Sequence, residues 1–159
     1  MRQTLAYLTR FLPVLVLLFA VSAPGTAVAQ DFHTDPLIVD TGNARHFIAI
    51  EVADTPPKRA QGLMNRETMA QDAGMLFDFK NDRVVTMWMK NTILSLDMIF
   101  IDKSGSVIRI AEDTVPFSET TISSGQPVRY VLEVNAGVSR KIGLEPGDTI
   151  SHPVINAGS

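Results

Sequence analysis

The segment with the clearest potential to bind a ligand is Met-Trp-Met-Lys-Asn-Thr at residues 87–92. Trp88 offers a flat apolar ring, and Lys90 and Asn91 beside it offer hydrogen-bond donors. That combination is typical of a platform for a sugar or another small polar molecule. Because tryptophan is usually well buried in folded proteins, packing of Trp88 in the core is the competing interpretation.

A second candidate is Asp97, which interrupts the apolar segment at residues 96–101. Burying an unpaired carboxylate costs on the order of several kcal/mol, so Asp97 should meet a cation or several N–H donors. The candidate cations are Lys90, Arg59, Arg66 and Arg129. Asp97 is therefore either a structural carboxylate that braces a loop or an ion pair, or a ligand-binding group in a cleft. Glu133 occupies a comparable position in its own segment, and the same alternatives apply to it.

An enzymatic alternative uses Asp97 or Glu133 in a hydrolase or isomerase that acts on envelope saccharides. A glycosidase would require two carboxylates at a suitable separation, one of them kept protonated by burial. The sequence contains both carboxylates but does not define the distance between them.

The methionines suggest a further alternative, copper handling. Six of them lie between residues 64 and 98, and Met87 and Met89 would project from one strand face about 7 Å apart. Thioethers are soft ligands that suit Cu(I). Methionine is also a flexible filler of cores, and no histidine accompanies the cluster, so core packing is the favoured interpretation and no cofactor or metal is predicted.

Residues 1–29 have the composition of a cleavable export signal. Arg2 and Arg10 supply positive charge, and the apolar run at residues 11–21 is shorter than the roughly 20 residues needed to span a bilayer. The segment ends in Ala27-Val28-Ala29, which suits signal peptidase. We therefore expect cleavage after Ala29 and a periplasmic or secreted protein that keeps no membrane anchor.

Composition excludes several function classes. The 159 residues include 14 basic and 17 acidic side chains, for a net charge of −3, and loss of residues 1–29 would make it −5. An acidic balance of this kind argues against a nucleic-acid partner. The absence of cysteine excludes disulfides, a catalytic thiol and thiolate metal ligands.

Short alternating segments predict a mainly β fold for residues 37–156, preceded by a flexible lead-in at 30–36. Strands are predicted at 37–39, 45–52, 74–79, 84–89, 96–102, 107–111, 128–134 and 149–155. Two short helices are predicted at 54–63 and 136–142, ending near Gly62 and Gly143, and a long surface loop at 113–127. Since full helices do not separate the strands, we expect one domain built as a jelly-roll-like β-sandwich or a partly closed barrel.

Six short motifs occur in an order that resembles a known family. They are Gly-Leu-Met (62–64), Gly-Met-Leu-Phe (74–77), Trp-Met-Lys-Asn-Thr (88–92), Leu-Asp-x-x-Phe-Ile-Asp (96–102), Arg-Tyr-Val-Leu-Glu (129–133) and Gly-Leu-x-x-Gly-Asp (143–148). The chain resembles the exported members of the uncharacterised prokaryotic family called domain of unknown function 192, from about Phe47 to Ile150. The resemblance implies a mainly β, jelly-roll-like sandwich and implies no activity.

These observations together predict a non-catalytic binding or accessory module for a small polar or glycan-like envelope ligand. The predicted ligand-binding residues are Arg59, Arg66, Trp88, Lys90, Asn91 and Asp97.

Overall fold

Residues 34–156 are described by the structure, a computed structural model; the predicted export signal and its cleavage site lie outside these residues. The strands are β1 (Thr34–Asp40), β2 (Arg45–Ala53), β3 (Ala73–Met87), β4 (Leu96–Ile101), β5 (Val107–Ala111), β6 (Ile122–Asn135) and β7 (Thr149–Ser151). The helices are α1 (Pro56–Gln61), α2 (Val138–Ile142) and α3 (Pro153–Asn156). No helix in this part of the chain is long and apolar enough to cross a membrane.

The seven strands form one sheet in the order β5-β4-β6-β3-β2-β1-β7, and its two ends meet. A bridge pairs Ser106 with Thr149, and the Ile150 N–H donates to the Gly105 carbonyl over 2.8 Å. Gly105 has a φ of +91°, and a Cβ there would lie 2.4 Å from the Ile150 oxygen, so a glycine is required at this junction. The mainly β prediction is confirmed in its partly closed barrel form.

Strand pairing is antiparallel except between β2 and β3, which run parallel. The connection between these two strands carries α1, which the sequence predicts correctly as a short helix with Gly62 at its exit. The strands predicted at 96–102 and 107–111 form the antiparallel hairpin of β4 and β5. In its turn the Asp102 carboxylate accepts N–H groups from Ser104 and Ser106.

Several strand boundaries differ from the prediction. β3 continues through polar residues 80–83, where a register shift between Asp78 and Arg83 and a φ of 68° at Lys80 mark a bulge rather than a turn. β6 begins at Ile122, inside the predicted surface loop, and β1 begins at Thr34, inside the predicted lead-in. β7 stops at Ser151, and α3 replaces the rest of the predicted last strand.

The sheet buries apolar side chains on both faces. All seven strands contribute to an inner core inside the curl, which includes Leu37, Ile50, Ile101, Tyr130 and Ile150. An outer core lies under α1 and the long loops. The outer core consists of Ala53, Leu63, Met75, Phe77, Val85, Met89, Leu96, Met98, Phe100, Val128 and Val131. Alternation along β6 places Glu133 on the outer face, two residues after Val131.

Candidate functional site

A cleft of about 150 Å³ opens between the end of α1 and the segment that follows β3, and we call it the Glu133 cleft. Its lining consists of Arg59, Ala60, Gln61, Gly62, Leu63, Met64, Phe77, Met87, Trp88, Thr92 and Glu133. Four of the six sequence motifs, at residues 62–64, 74–77, 88–92 and 129–133, therefore contribute to one place.

One wall of the Glu133 cleft is α1 and the turn after it. Thr55 caps the helix, prolines occupy its first turn, and the Gly62 N–H donates to the Lys58 carbonyl over 2.8 Å. Gly62 has a φ of +48°, and a Cβ there would lie 3.2 Å from the Phe77 ring. The glycine thus lets the helix exit pack directly against the aromatic floor of the cleft.

The opposite wall is the turn at residues 88–92, which hydrogen bonds hold on two sides. The Asn65 N–H donates to the Asn91 carbonyl over 2.9 Å, tying this turn to the exit of α1. The Met89 N–H donates to the Ser118 carbonyl over 2.9 Å, tying it to the loop before β6. Trp88 is thereby held at the rim with 48% of its surface exposed, so it is not a core residue.

Glu133 lies at the base of the cleft and is 4% exposed. Its neighbours across the sheet are Met75 on β3 and Met98 on β4, both fully buried. Within residues 34–156 no hydrogen bond or ion pair to its carboxyl group is found. Burial raises the pKa of Glu133 from 4.5 to about 8, so the side chain is mostly protonated at neutral pH.

The other two buried carboxylates in the described part of the chain both accept hydrogen bonds. Asp78 accepts hydrogen bonds from the backbone N–H and the ammonium of Lys80 and from the Arg129 guanidinium. Burial alone would raise the pKa of Asp78, but these hydrogen bonds outweigh burial and lower the pKa. Asp97 accepts the N–H groups of Asp113 and Ser139, each over 3.0 Å. Glu133 therefore differs from both, because no described residue donates a hydrogen bond to it.

Asp97 braces the loop before β6 and the start of α2, and it does so with backbone donors rather than the predicted cations. It also lies on the inner face of β4, between Leu96 and Met98, which belong to the outer core. Asp97 and Glu133 are consequently on opposite faces of the sheet and do not form a glycosidase-like pair.

The other predicted site residues divide between the rim and the surroundings. Arg59 and Trp88 line the cleft. The Lys90 ammonium lies 5.4 Å from the centre of the Trp88 ring and 3.7 Å from Oε1 of Glu119. The strand predicted at residues 84–89 ends earlier, at Met87, so the contact between Lys90 and Trp88 is made within a turn and not along a strand.

Asn91 and Arg66 lie outside the lining of the cleft. Asn91 has a φ of 54° and contributes its carbonyl to the turn described above. Arg66 makes two hydrogen bonds to the Glu51 carboxylate, one of them over 2.9 Å, and this pairing raises the pKa of Arg66. Neither side chain is among those that line the cleft.

The methionines that suggested copper binding lie in different environments. Met89 is 1% exposed, and its sulfur accepts the Thr114 hydroxyl over 3.2 Å, whereas Met87 is partly exposed in the cleft. Among the described residues no group of three histidine, aspartate or glutamate side chains is arranged to hold a metal ion.

The predicted ligand-binding residues did not include most of the apolar lining, namely Leu63, Met64, Phe77 and Met87. The Gly-Leu-Met motif at residues 62–64 was the sequence signal for this lining, because its glycine lets the backbone lie close to the Phe77 ring. The sequence also offered Glu133 as a possible cleft carboxylate but did not place it among the predicted ligand-binding residues, although this residue forms the base of the cleft.

Comparison with known proteins places these features in a wider group. The model of the family DUF192, described as an uncharacterized ACR, matches residues 37–152. A solved structure of a proposed transcription regulator from Sinorhizobium meliloti 1021 is 46% identical, with a TM-score of 0.74 over 76% of this chain and 94% of that one. A protein of unknown function from Novosphingobium aromaticivorans DSM 12444 is 32% identical, with a TM-score of 0.75 over 83% of this chain and 94% of that one. Among curated proteins, none is similar enough to count as a match.

Proposed function

The chain belongs to the DUF192 family, and we propose that it is a binding or accessory module whose Glu133 cleft holds a small polar or glycan-like ligand. The observation that carries the proposal is the Glu133 carboxyl group, which is buried, faces a cleft and has no partner among the described residues. Buried polar groups in native proteins normally have hydrogen-bond partners, so an exception at the base of an open cleft points to a ligand.

The dimensions of the cleft favour a small ligand or the end group of a larger one. A volume of about 150 Å³ is below the 300–1,000 Å³ of typical drug-sized pockets. The exposed Trp88 ring at the rim can extend the contact surface by stacking on an adjoining ring or chain. A terminal group would then reach Glu133 while the remainder lies against the indole.

The test uses the fluorescence of Trp88, the sole tryptophan of the chain. We expect saturable changes in its emission with at least one small polar compound in a panel of envelope monosaccharides, amines, amides and carboxylates. Ala60→Phe should abolish the change by filling the cleft from an exposed helical position. Ala49→Phe, on an exposed strand position that does not line the cleft, is the matched control and should bind as the original protein does.

Two results would contradict the proposal. One is the absence of any saturable response across the panel in protein that folds normally. The other is a response that Ala60→Phe and Ala49→Phe leave equally intact, because binding would then occur elsewhere.

A second candidate function is proton-transfer catalysis by Glu133 alone, favoured by a pKa of about 8 that lies near neutral pH. The remaining polar side chains of the lining are Arg59, Gln61 and Thr92, none of which is an obvious second acid or base. Glu133→Gln distinguishes the candidates, because an enzyme would lose turnover with bound substrate, whereas no turnover is expected of a binding module.

The description of the Sinorhizobium relative names a transcription regulator, but regulation through DNA binding is less favoured for this chain. Its net charge of −3 opposes the phosphate contacts on which such binding depends. Electrophoretic mobility shifts at low salt would overturn this preference if they showed tight binding to duplex DNA.

We also propose that the module acts outside the cytoplasm after removal of residues 1–29. The support is the sequence of that segment, with its short apolar run and its Ala-Val-Ala end. Fractionation of cells that express the full chain tests this, and recovery of the mature protein in the periplasm is the expected result.

A further inference from the structure

Position 133 carries an ionisable residue where a neutral one would serve most ligands equally well. Glutamine has almost the same shape as glutamic acid and offers both a donor and an acceptor at every pH. A glutamate differs because it can become negatively charged, and its burial between Met75 and Met98 makes that charge costly while the cleft is empty. The residue is therefore suited to a ligand that supplies the missing positive charge.

The surroundings of Glu133 also suit a cation. The aromatic rings of Phe77 and Trp88 and the thioether of Met87 line the cleft, and an indole face attracts cations. The structure already shows this property at the rim, where the Lys90 ammonium lies 5.4 Å from the centre of the Trp88 ring.

Arg59 is the only other charged residue among the described residues that line the cleft. Its guanidinium donates to the Asp78 carbonyl over 2.9 Å and lies 5.7 Å from the centre of the Phe79 ring. Arg59 therefore has partners of its own, and no ion pair joins it to Glu133.

We propose that the group entering the Glu133 cleft is an organic ammonium, which pairs with the Glu133 carboxylate while its alkyl part contacts Phe77 and Met87. This inference rests on the proposed function, since it names the class of ligand that the cleft binds. Binding is a non-covalent exchange in which Glu133 releases its proton to solvent as the ammonium takes the proton's place.

The experiment uses three probes of nearly equal size: propylammonium chloride, propionamide and sodium propionate. Each is titrated into the full chain at constant ionic strength, with Trp88 emission and backbone amide NMR shifts as readouts. Ligands this small bind weakly, so titrations extend to about 50 mM. We expect propylammonium to bind more tightly than the other two.

The pH dependence provides the specific signature. With a pKa of about 8, the ionised fraction of Glu133 in the free protein rises about tenfold between pH 7 and pH 9. Propylammonium stays charged over this range because aliphatic amines titrate near a pKa of about 10.4. Its affinity should therefore rise about tenfold, and calorimetry in buffers of different ionisation enthalpy should detect release of close to one proton at pH 7.

Glu133→Gln should lower propylammonium affinity at least tenfold at pH 9, whereas Glu145→Gln, at an exposed position outside the lining, should leave it unchanged. Tighter binding of propionate, or propylammonium binding unaffected by Glu133→Gln, would overturn the inference. If propionamide binds, propylammonium does not, and Ala60→Phe abolishes the propionamide binding, the ammonium inference is overturned. The same result would support the cleft as a binding site. No binding of any probe would also overturn the ammonium inference, and the wider panel described above would decide the proposed function separately.

Discussion

Replacing Glu133 by glutamine should change how the stability of the protein depends on pH. In the unfolded chain Glu133 releases its proton near pH 4.5, whereas burial in the folded protein raises its pKa to about 8. Between these two values the folded state holds a proton that the unfolded state has lost. The free energy of unfolding must therefore fall as pH rises through this window, and the contribution is fully present only below pH 4.5.

The size of the effect follows from the two pKa values. Each pH unit inside the window changes the free energy of unfolding by about 1.4 kcal/mol, so a rise from pH 5 to pH 8 should cost about 4 kcal/mol. That is a large part of the 5–15 kcal/mol by which typical domains are stable. Glu133→Gln stays neutral throughout, so its stability should match the original protein near pH 5 and exceed it by about 4 kcal/mol at pH 8.

Urea denaturation followed by circular dichroism at pH 5, 6, 7 and 8 measures this difference. Glu145→Gln, at an exposed position, is the control and should give a curve parallel to that of the original protein. His152 contributes a separate term, because burial lowers its pKa and stability is lost as pH falls below its ordinary value of 6.5. This term is common to all three proteins and cancels in the comparison. Parallel curves for Glu133→Gln and the original protein would falsify the argument that Glu133 is buried without a partner.

Three further predictions concern other residues. Asp97→Ala should lower the free energy of unfolding by about 2–4 kcal/mol, because it leaves the N–H groups of Asp113 and Ser139 without an acceptor. Asp102→Ala changes a surface turn and should lower it by about 1 kcal/mol. Equal urea midpoints for the two variants would contradict this. Trp88 emission should be quenched by both acrylamide and iodide, because the ring is exposed. Lys90→Ala should reduce only the quenching by iodide, because it removes the positive charge that lies 5.4 Å from the centre of the ring and attracts this anion. Emission insensitive to acrylamide would contradict the exposed position. Intact-mass measurement of exported protein should show cleavage after Ala29, and retention of residues 1–29 would refute it.

Local sequence was sufficient to predict the class of fold. Alternating apolar residues indicated most strands, and the turn at residues 102–105 and the glycine exit of α1 were recognisable from residue type. Boundaries were less predictable where long-range contacts override local polarity. The polar residues 80–83 resemble a turn, yet β3 continues through them because pairing with β6 resumes at Arg83. The parallel pairing of β2 with β3 likewise depends on a crossover that leaves no periodic signal.

The candidate site was only partly predictable, and Asp97 and Glu133 show the physical reason. Each interrupts a buried apolar strand, so the sequence indicates in both cases that burial is costly and that a partner is needed. The partners themselves lie elsewhere in the chain: Asp97 meets N–H groups 16 and 42 positions away, whereas the cross-strand neighbours of Glu133 are two methionines. Strand order and register decide these neighbours, and a shift of register by one residue would exchange the two faces of the sheet. A strand's own sequence can therefore show that a carboxylate needs a partner. Only the pairing of β4, β6 and β3 shows that Asp97 has one and that Glu133 faces an open cleft with no partner from residues 34–156.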